Sequence, residues 1–132
     1  MALVRLAIMS DGWRLQDHRH LLTGADAAGL VRARADEGQL ETWFEHDDGR
    51  LLAVVTNGTR ALVMALDEAG DVGEHAVDPM ATDQQGGYVL SNGQRDTYDN
   101  HDTVPFDQAL VIVEHLINHG RPPTGVDWHV DR

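Results

Sequence analysis

The chain has no cysteine and no lysine among its 132 residues, aromatics make up only 5%, and prolines number 4. Without cysteine there is no disulfide framework, no thiolate zinc cluster and no cysteine nucleophile. Without lysine, a phosphate-binding loop lacks its cation, and no strand-leading GxGxxG, GxSxG elbow or EF-hand loop appears either. Long apolar runs are also missing. The opening Ala2 to Met9 is broken by Arg5 and lacks the basic start, long apolar middle and small-residue cleavage site of a signal peptide. Nothing approaches the ~20 apolar residues of a membrane span, so a cytoplasmic protein is expected.

Positive charge is the next scarcity. Ten basic side chains face 22 acidic ones, for a net charge of -12. The imbalance is uneven, because residues 1–66 hold 7 arginines against 9 acids whereas residues 67–132 hold 3 against 13. A field of that sign repels phosphate backbones, which argues against nucleic-acid and anionic-membrane partners and leaves two readings of equal weight, a basic protein partner or a merely soluble acidic surface.

The apolar residues that are present, 42% of the chain, fall in periodic blocks. Leu3 to Met9 reads as a strand closed by Asp11-Gly12, and Trp13 to Gln16 as a second. Thr23 stands three residues before Asp26, a near capping box, and Ala27, Leu30, Val31 and Ala35 form a thin stripe before Gly38, which predicts a helix over 24–37. Strand-like runs follow at Leu40 to His46, Leu51 to Val55, Thr59 to Leu66, Glu74 to Val77 and Gly86 to Ser91. Turn signals at Asp47-Asp48-Gly49, Asn57-Gly58 and Asn92-Gly93 separate several of them. Gln94 to Asp102 reads as a polar loop.

From Pro105 the strongest helical stripe runs through Phe106, Ala109, Leu110, Ile112, Val113, Leu116 and Ile117 and stops at Gly120. Val126 to Val130 alternates as a final strand. The expected architecture is one α+β domain: a mainly antiparallel meander, an N-terminal helix, a long C-terminal amphipathic helix packed on the sheet, and a last strand beside it.

Chemistry is harder to find. His115 and His119 lie four apart on the second helix, the spacing of a metal-binding pair, but Leu116 stands where a metalloprotease motif needs Glu. Ordinary exposed histidines are the simpler reading; a small-ligand or metal-binding domain using these histidines is the alternative. The pairs Asp47/Asp48 and Asp99/Asp102 fit turn formation, since no pattern indicates the burial that acid–base work requires. Neither Ser10 nor Ser91 sits in a nucleophile motif. No cofactor, metal or catalytic set is expected. Trp13, Trp43 and Trp128 read as core or sheet-face packing. Tyr98 stands apart, because it lies in Gln94-Arg95-Asp96-Thr97-Tyr98-Asp99-Asn100-His101-Asp102, where an aromatic ringed by acids has the makings of a protein-binding hot spot. Anchoring that segment to its own domain is the competing role.

Taken together, Gly87-Tyr88-Val89-Leu90, Asn92-Gly93-Gln94, Tyr98, Thr103-Val104-Pro105, the amphipathic helix, His119-Gly120-Arg121-Pro122 and Val126-Asp127-Trp128 resemble the ending of immunity protein family one of bacterial polymorphic toxin systems. The order of strand, loop, helix and meander is similar over most of the chain. The resemblance implies a non-enzymatic protein encoded beside a toxin, often of the nucleic-acid deaminase type, that protects its cell by binding the toxin domain. On the charge argument, Asp96, Tyr98, Asp99 and Asp102 are the expected partner contacts, and the free protein is expected to be a monomer.

Overall fold

The computed structural model describes residues 12–132, so the expected strand at Leu3 to Met9 lies outside the described residues. The elements are β1 (Trp13–Leu15), α1 (Gly24–Asp36), β2 (Glu41–His46), β3 (Leu51–Thr56), β4 (Arg60–Leu66), β5 (Glu74–Val77), β6 (Gln84–Val89) and β7 (Arg95–Asp99). After a 3-10 turn at Asn100–Asp102 come β8 (Val104–Pro105), α2 (Phe106–His119) and β9 (Asp127–Val130). The α+β architecture is the one the hydrophobic patterning predicts.

Strand pairing is antiparallel throughout, in the order β1-β2-β3-β4-β5-β9, with β8 beside β4. Registers such as Phe44↔Leu52 and Val54↔Val63 put alternate residues on one face. That face carries Phe44, Leu52, Val54, Ala61, Val63 and Ala76, all buried, against Ala27 and Val31 of α1 and Ala109, Ile112, Val113 and Leu116 of α2. The two helix stripes therefore share one core.

Both helix ends follow their local signals. Thr23 caps α1, its Oγ1 accepting the Asp26 amide at 3.1 Å, and Gly38 just beyond the helix has φ +84°. Pro105 occupies the N-cap position of α2, and Gly120 closes it in the left-handed region, its amide donating to Leu116 O at 2.7 Å. Gly24 is required for another reason. A Cβ there would lie 2.2 Å from the Glu114 carbonyl oxygen, so the first turn of α1 rests directly on α2, and the Gly24 amide donates to Asn118 Oδ1 at 2.8 Å.

One expectation is corrected. Gln94 to Asp102 is not an open loop: Arg95–Asp99 pairs with β6 in a separate two-stranded sheet and is followed by the 3-10 turn. Its alternation is polar, with Asp96 and Tyr98 half-buried and Arg95, Thr97 and Asp99 exposed, so a search for apolar periodicity passes over it. The hairpin bulges at Gly86-Gly87 and lies across the sheet face opposite the helices. Asn57 Nδ2 holds its base by donating to Gln85 Oε1 and Gly86 O, both at 3.0 Å. Arg60 ties together the segments that flank this open end: it donates to Asp78 Oδ2 at 2.7 Å, to Thr103 Oγ1 at 2.8 Å, and to the carbonyls of Asn100 and Thr103. Tyr88 is fully buried under the hairpin.

Candidate functional site

Because Thr42 and Phe44 point into the core, the pleat turns Glu41, Trp43 and Glu45 to the opposite face, where the hairpin tip meets β2. Glu41 organises this junction. Its carboxylate accepts the Trp43 indole N–H at 2.8 Å and the Ser91 amide at 2.9 Å. Burial raises the Glu41 pKa, and Asp96 opposes its ionisation, yet the bonds from Ser91 and Trp43 outweigh both and hold it below the usual carboxylate range. The carboxylate stays charged at neutral pH.

Across the junction, Tyr98 donates its hydroxyl to Asp96 Oδ2 at 2.7 Å, and Gln94 Nε2 donates to Asp96 Oδ1 at 2.8 Å. The Gln94 and Tyr98 bonds lower the Asp96 pKa. Burial, then the Asp96 charge, push the Tyr98 hydroxyl far above its ordinary value, so it remains a neutral donor. Its ring packs on Tyr88 with centroids 4.5 Å apart. The result is two half-buried aromatics, Trp43 and Tyr98, each pinned by a neighbouring carboxylate. Such side chains have little rotamer freedom left to lose when something docks on them. Trp43 and Glu41 border a shallow cleft with Leu15, Gln16, His18, Arg34 and Ser91.

The four expected contacts have different bonding partners. Asp96 and Tyr98 lie at this junction, and Asp99 is exposed at the end of β7 with no cap bond to the following turn. Asp102 belongs to another cluster, in which His75 reaches Asp102 Oδ1 with Nε2 at 3.0 Å and Asp131 Oδ2 with Nδ1 at 2.8 Å. Burial lowers the His75 pKa, but the bonds to Asp131 and Asp102 reverse the effect and leave it raised. His101 lies 3.6 Å from Asp102 and His129 lies 3.7 Å from Asp131. Sequence reasoning missed Glu41 and Trp43 as site residues; the available signal was Trp43-Phe44, two adjacent aromatics that a strand must send to opposite faces.

His115 and His119 do come together, ring centroids 4.4 Å apart, but His115 Nδ1 is engaged with the Arg121 carbonyl at 3.0 Å. Among the described residues there is no group of three or more side chains able to hold a metal ion, and no helix long and apolar enough to cross a membrane. Asp47 and Asp48 serve their turn: Asp47 pairs with Arg14 and accepts the Gly12 amide, and Asp48 bonds Arg50. No protein-family model and no curated protein matches the chain.

Proposed function

We propose that this is an immunity protein that binds a cognate polymorphic toxin, of the nucleic-acid deaminase type, in the cytoplasm of the producing cell and covers the toxin's substrate site. The observation that carries the reading is the junction of β2 with the hairpin, where the half-buried Trp43 is bonded to Glu41 and the half-buried Tyr98 to Asp96, two carboxylates whose pKa values are lowered. Aromatic anchors with acids around them suit a cationic surface, and a deaminase that takes up a nucleic-acid strand needs such a surface. The net charge of -12 acts at longer range, steering a basic partner into encounter. The resemblance of residues 87–128 to immunity protein family one points the same way.

In this scheme the protein performs no chemistry. Inhibition comes from placing carboxylates where substrate phosphates would lie, so that toxin and nucleic acid compete for one field. The test is co-expression with the toxin domain encoded by the adjacent gene, scored by cell survival and by deamination in vitro. Protection, together with a complex that weakens in high salt, is the expected result. Trp43→Ala and Tyr98→Ala should each weaken the complex about tenfold or more, and Asp96→Arg should slow association. A toxin that remains fully active beside a folded, equimolar protein would overturn the proposal.

A further inference from the structure

Arg14, Arg32, Arg50, Arg60 and Arg132 are each tied to an aspartate: Asp47, Asp107, Asp48, Asp78 and Asp71 in turn. Arg34, half-buried in the last turn of α1, forms no ion pair with any described residue. Its guanidinium is nevertheless fixed. Nε donates to Thr42 Oγ1 and Nη2 to the Glu41 carbonyl, both at 2.9 Å. Those two donors lie on one side of the planar group. The end fork, one N–H on Nη1 and the second on Nη2, has no acceptor among the described residues. Two parallel N–H groups match the two oxygens of a carboxylate, and a partly desolvated cation without a counter-ion is where a bound anion gains most.

Arg34 stands in the wall of a cleft of about 270 Å³ between the α1–β2 connection and the tip of the β6–β7 hairpin. Leu40, Val89 and Leu90, all half-buried, supply apolar walls, while the exposed Gln39 and Ser91 form a polar rim. The hairpin wall is held in place without a ligand. Ser91 N donates to Glu41 Oε1 at 2.9 Å, and Leu90 N donates to the Gln94 carbonyl at 2.8 Å.

These surroundings select the occupant. A cationic ligand would meet Arg34 itself. A phosphate would bring two negative charges toward a rim where Ser91 holds the ionised Glu41, and repulsion grows with ligand charge, so a single charge is favoured. The apolar walls call for a hydrocarbon body. Drug-sized ligands fill clefts of roughly 300–1,000 Å³, so this cleft suits a smaller molecule.

We propose that the cleft binds a compact monocarboxylate, its carboxylate on the free fork of Arg34 and its hydrocarbon body, a single ring or a short branched chain, against Leu40, Val89 and Leu90. The inference concerns the free protein and does not depend on the toxin reading.

The probe is benzoate, titrated into the full chain and followed by NMR of the backbone amides and the Arg34 Nε–H. Benzamide removes the charge, acetate removes the ring, and inorganic phosphate changes the class of anion. Expected are saturable shifts at Leu40, Val89, Leu90 and the Arg34 Nε–H, with each of the three controls about tenfold weaker or more. Arg34→Lys should lower benzoate affinity at least about tenfold, because an ammonium offers no fork. Arg34 also ties α1 to β2, so Leu90→Glu is the second variant: it leaves the bonds of Arg34 to Thr42 and Glu41 in place and puts an anion in the wall. Benzoate binding should vanish in Leu90→Glu and persist, weakened, in Leu90→Gln.

An absence of saturable change would overturn the proposal. So would benzamide, acetate or phosphate binding as tightly as benzoate, or shifts confined to Leu15, Gln16 and His18 in the neighbouring cleft. Unaltered benzoate affinity in Leu90→Glu would remove it as well, whatever Arg34→Lys does to the fold.

Discussion

Replacing His75 with glutamine should destabilise the protein in a pH-dependent way, with the largest loss in mildly acidic solution. Both ring nitrogens of His75 face carboxylate oxygens, Asp131 at 2.8 Å and Asp102 at 3.0 Å, and an ionised carboxylate only accepts. Both nitrogens can donate at once only in the imidazolium form, which the raised pKa of His75 favours. Its side chain is only 12% exposed, whereas Asp102 is 45% and Asp131 32% exposed. Charge-assisted bonds contribute about 1.5–3 kcal/mol each when desolvated; solvent at the two carboxylates reduces this to roughly 0.5–1 kcal/mol apiece. For a domain of this size, the combined ~1–2 kcal/mol corresponds to a Tm change of about 3–7 °C.

The sign follows from the protonation states. The folded-state pKa of His75 is raised, so its contribution is complete below the unfolded value of about 6.5 and disappears as pH rises through the folded value. The Asp102 pKa is lowered: burial opposes ionisation, but His75 and His101 more than compensate. Its contribution is present above about pH 4 and is lost as pH falls through the lower folded value. The clamp is therefore strongest between roughly pH 4.5 and 6.5. Thermal unfolding of wild type and His75→Gln across this range and up to pH 9 measures it, and the difference between the two proteins cancels the other histidines. A difference as large at pH 9 as at pH 5.5 would refute the imidazolium clamp and leave His75 as packing alone. Nitrogen NMR offers a direct check, since both ring nitrogens should be protonated at pH 5.5.

Three further outcomes are expected. Gly24→Ala should cost about 2–3 kcal/mol in urea denaturation despite alanine's better helix propensity, because the new methyl meets the Glu114 carbonyl at 2.2 Å; a stabilised variant would show that the α1–α2 approach is looser. Arg60→Lys should lose nearly as much as Arg60→Ala, about 2–4 kcal/mol, since an ammonium cannot reach Asp78, Thr103 and the Asn100 carbonyl together, and exchange should quicken in β6 and β7 first. Tyr88→Phe should change stability by less than about 1 kcal/mol, because the buried hydroxyl lies near Arg60 and Thr103 without a well-formed hydrogen bond; a loss above ~2 kcal/mol in the same assay would reveal one.

Much of the scaffold was legible before any coordinates. Thr23, Gly38, Pro105 and Gly120 mark the helix ends through local backbone chemistry, and Asn57-Gly58 and Asp47-Asp48-Gly49 mark turns for the same reason. The β6–β7 hairpin was only half legible. Its first strand contains Tyr88 and Val89, but its second offers only Asp96 and Tyr98, bonded to each other, and the hairpin's anchors lie far away in sequence: Asn57 holds Gln85 of the first strand and Glu41 holds Ser91 of the turn. The candidate site suffered similarly. Asp96 and Tyr98 were singled out by their local company, whereas Asp102 looked like their neighbour and proved to be the partner of His75, 27 residues away.

The sequence by itself determined the α+β class, the two helices with their stops, the antiparallel meander, the acidic second half and the absence of thiol and lysine chemistry. Each of these depends on composition or on residues a few positions apart, where periodicity and backbone preference act directly. Only the tertiary structure decided that Glu41, which holds Trp43, lies beside Asp96 and Tyr98, that His75 ties the 3-10 turn to Asp131, and that β9 pairs with β5. Those facts depend on which strands lie side by side and which face each residue takes. Packing of the whole chain sets them, because a hydrogen bond such as Ser91 to Glu41 spans 50 residues and leaves no trace in local pattern.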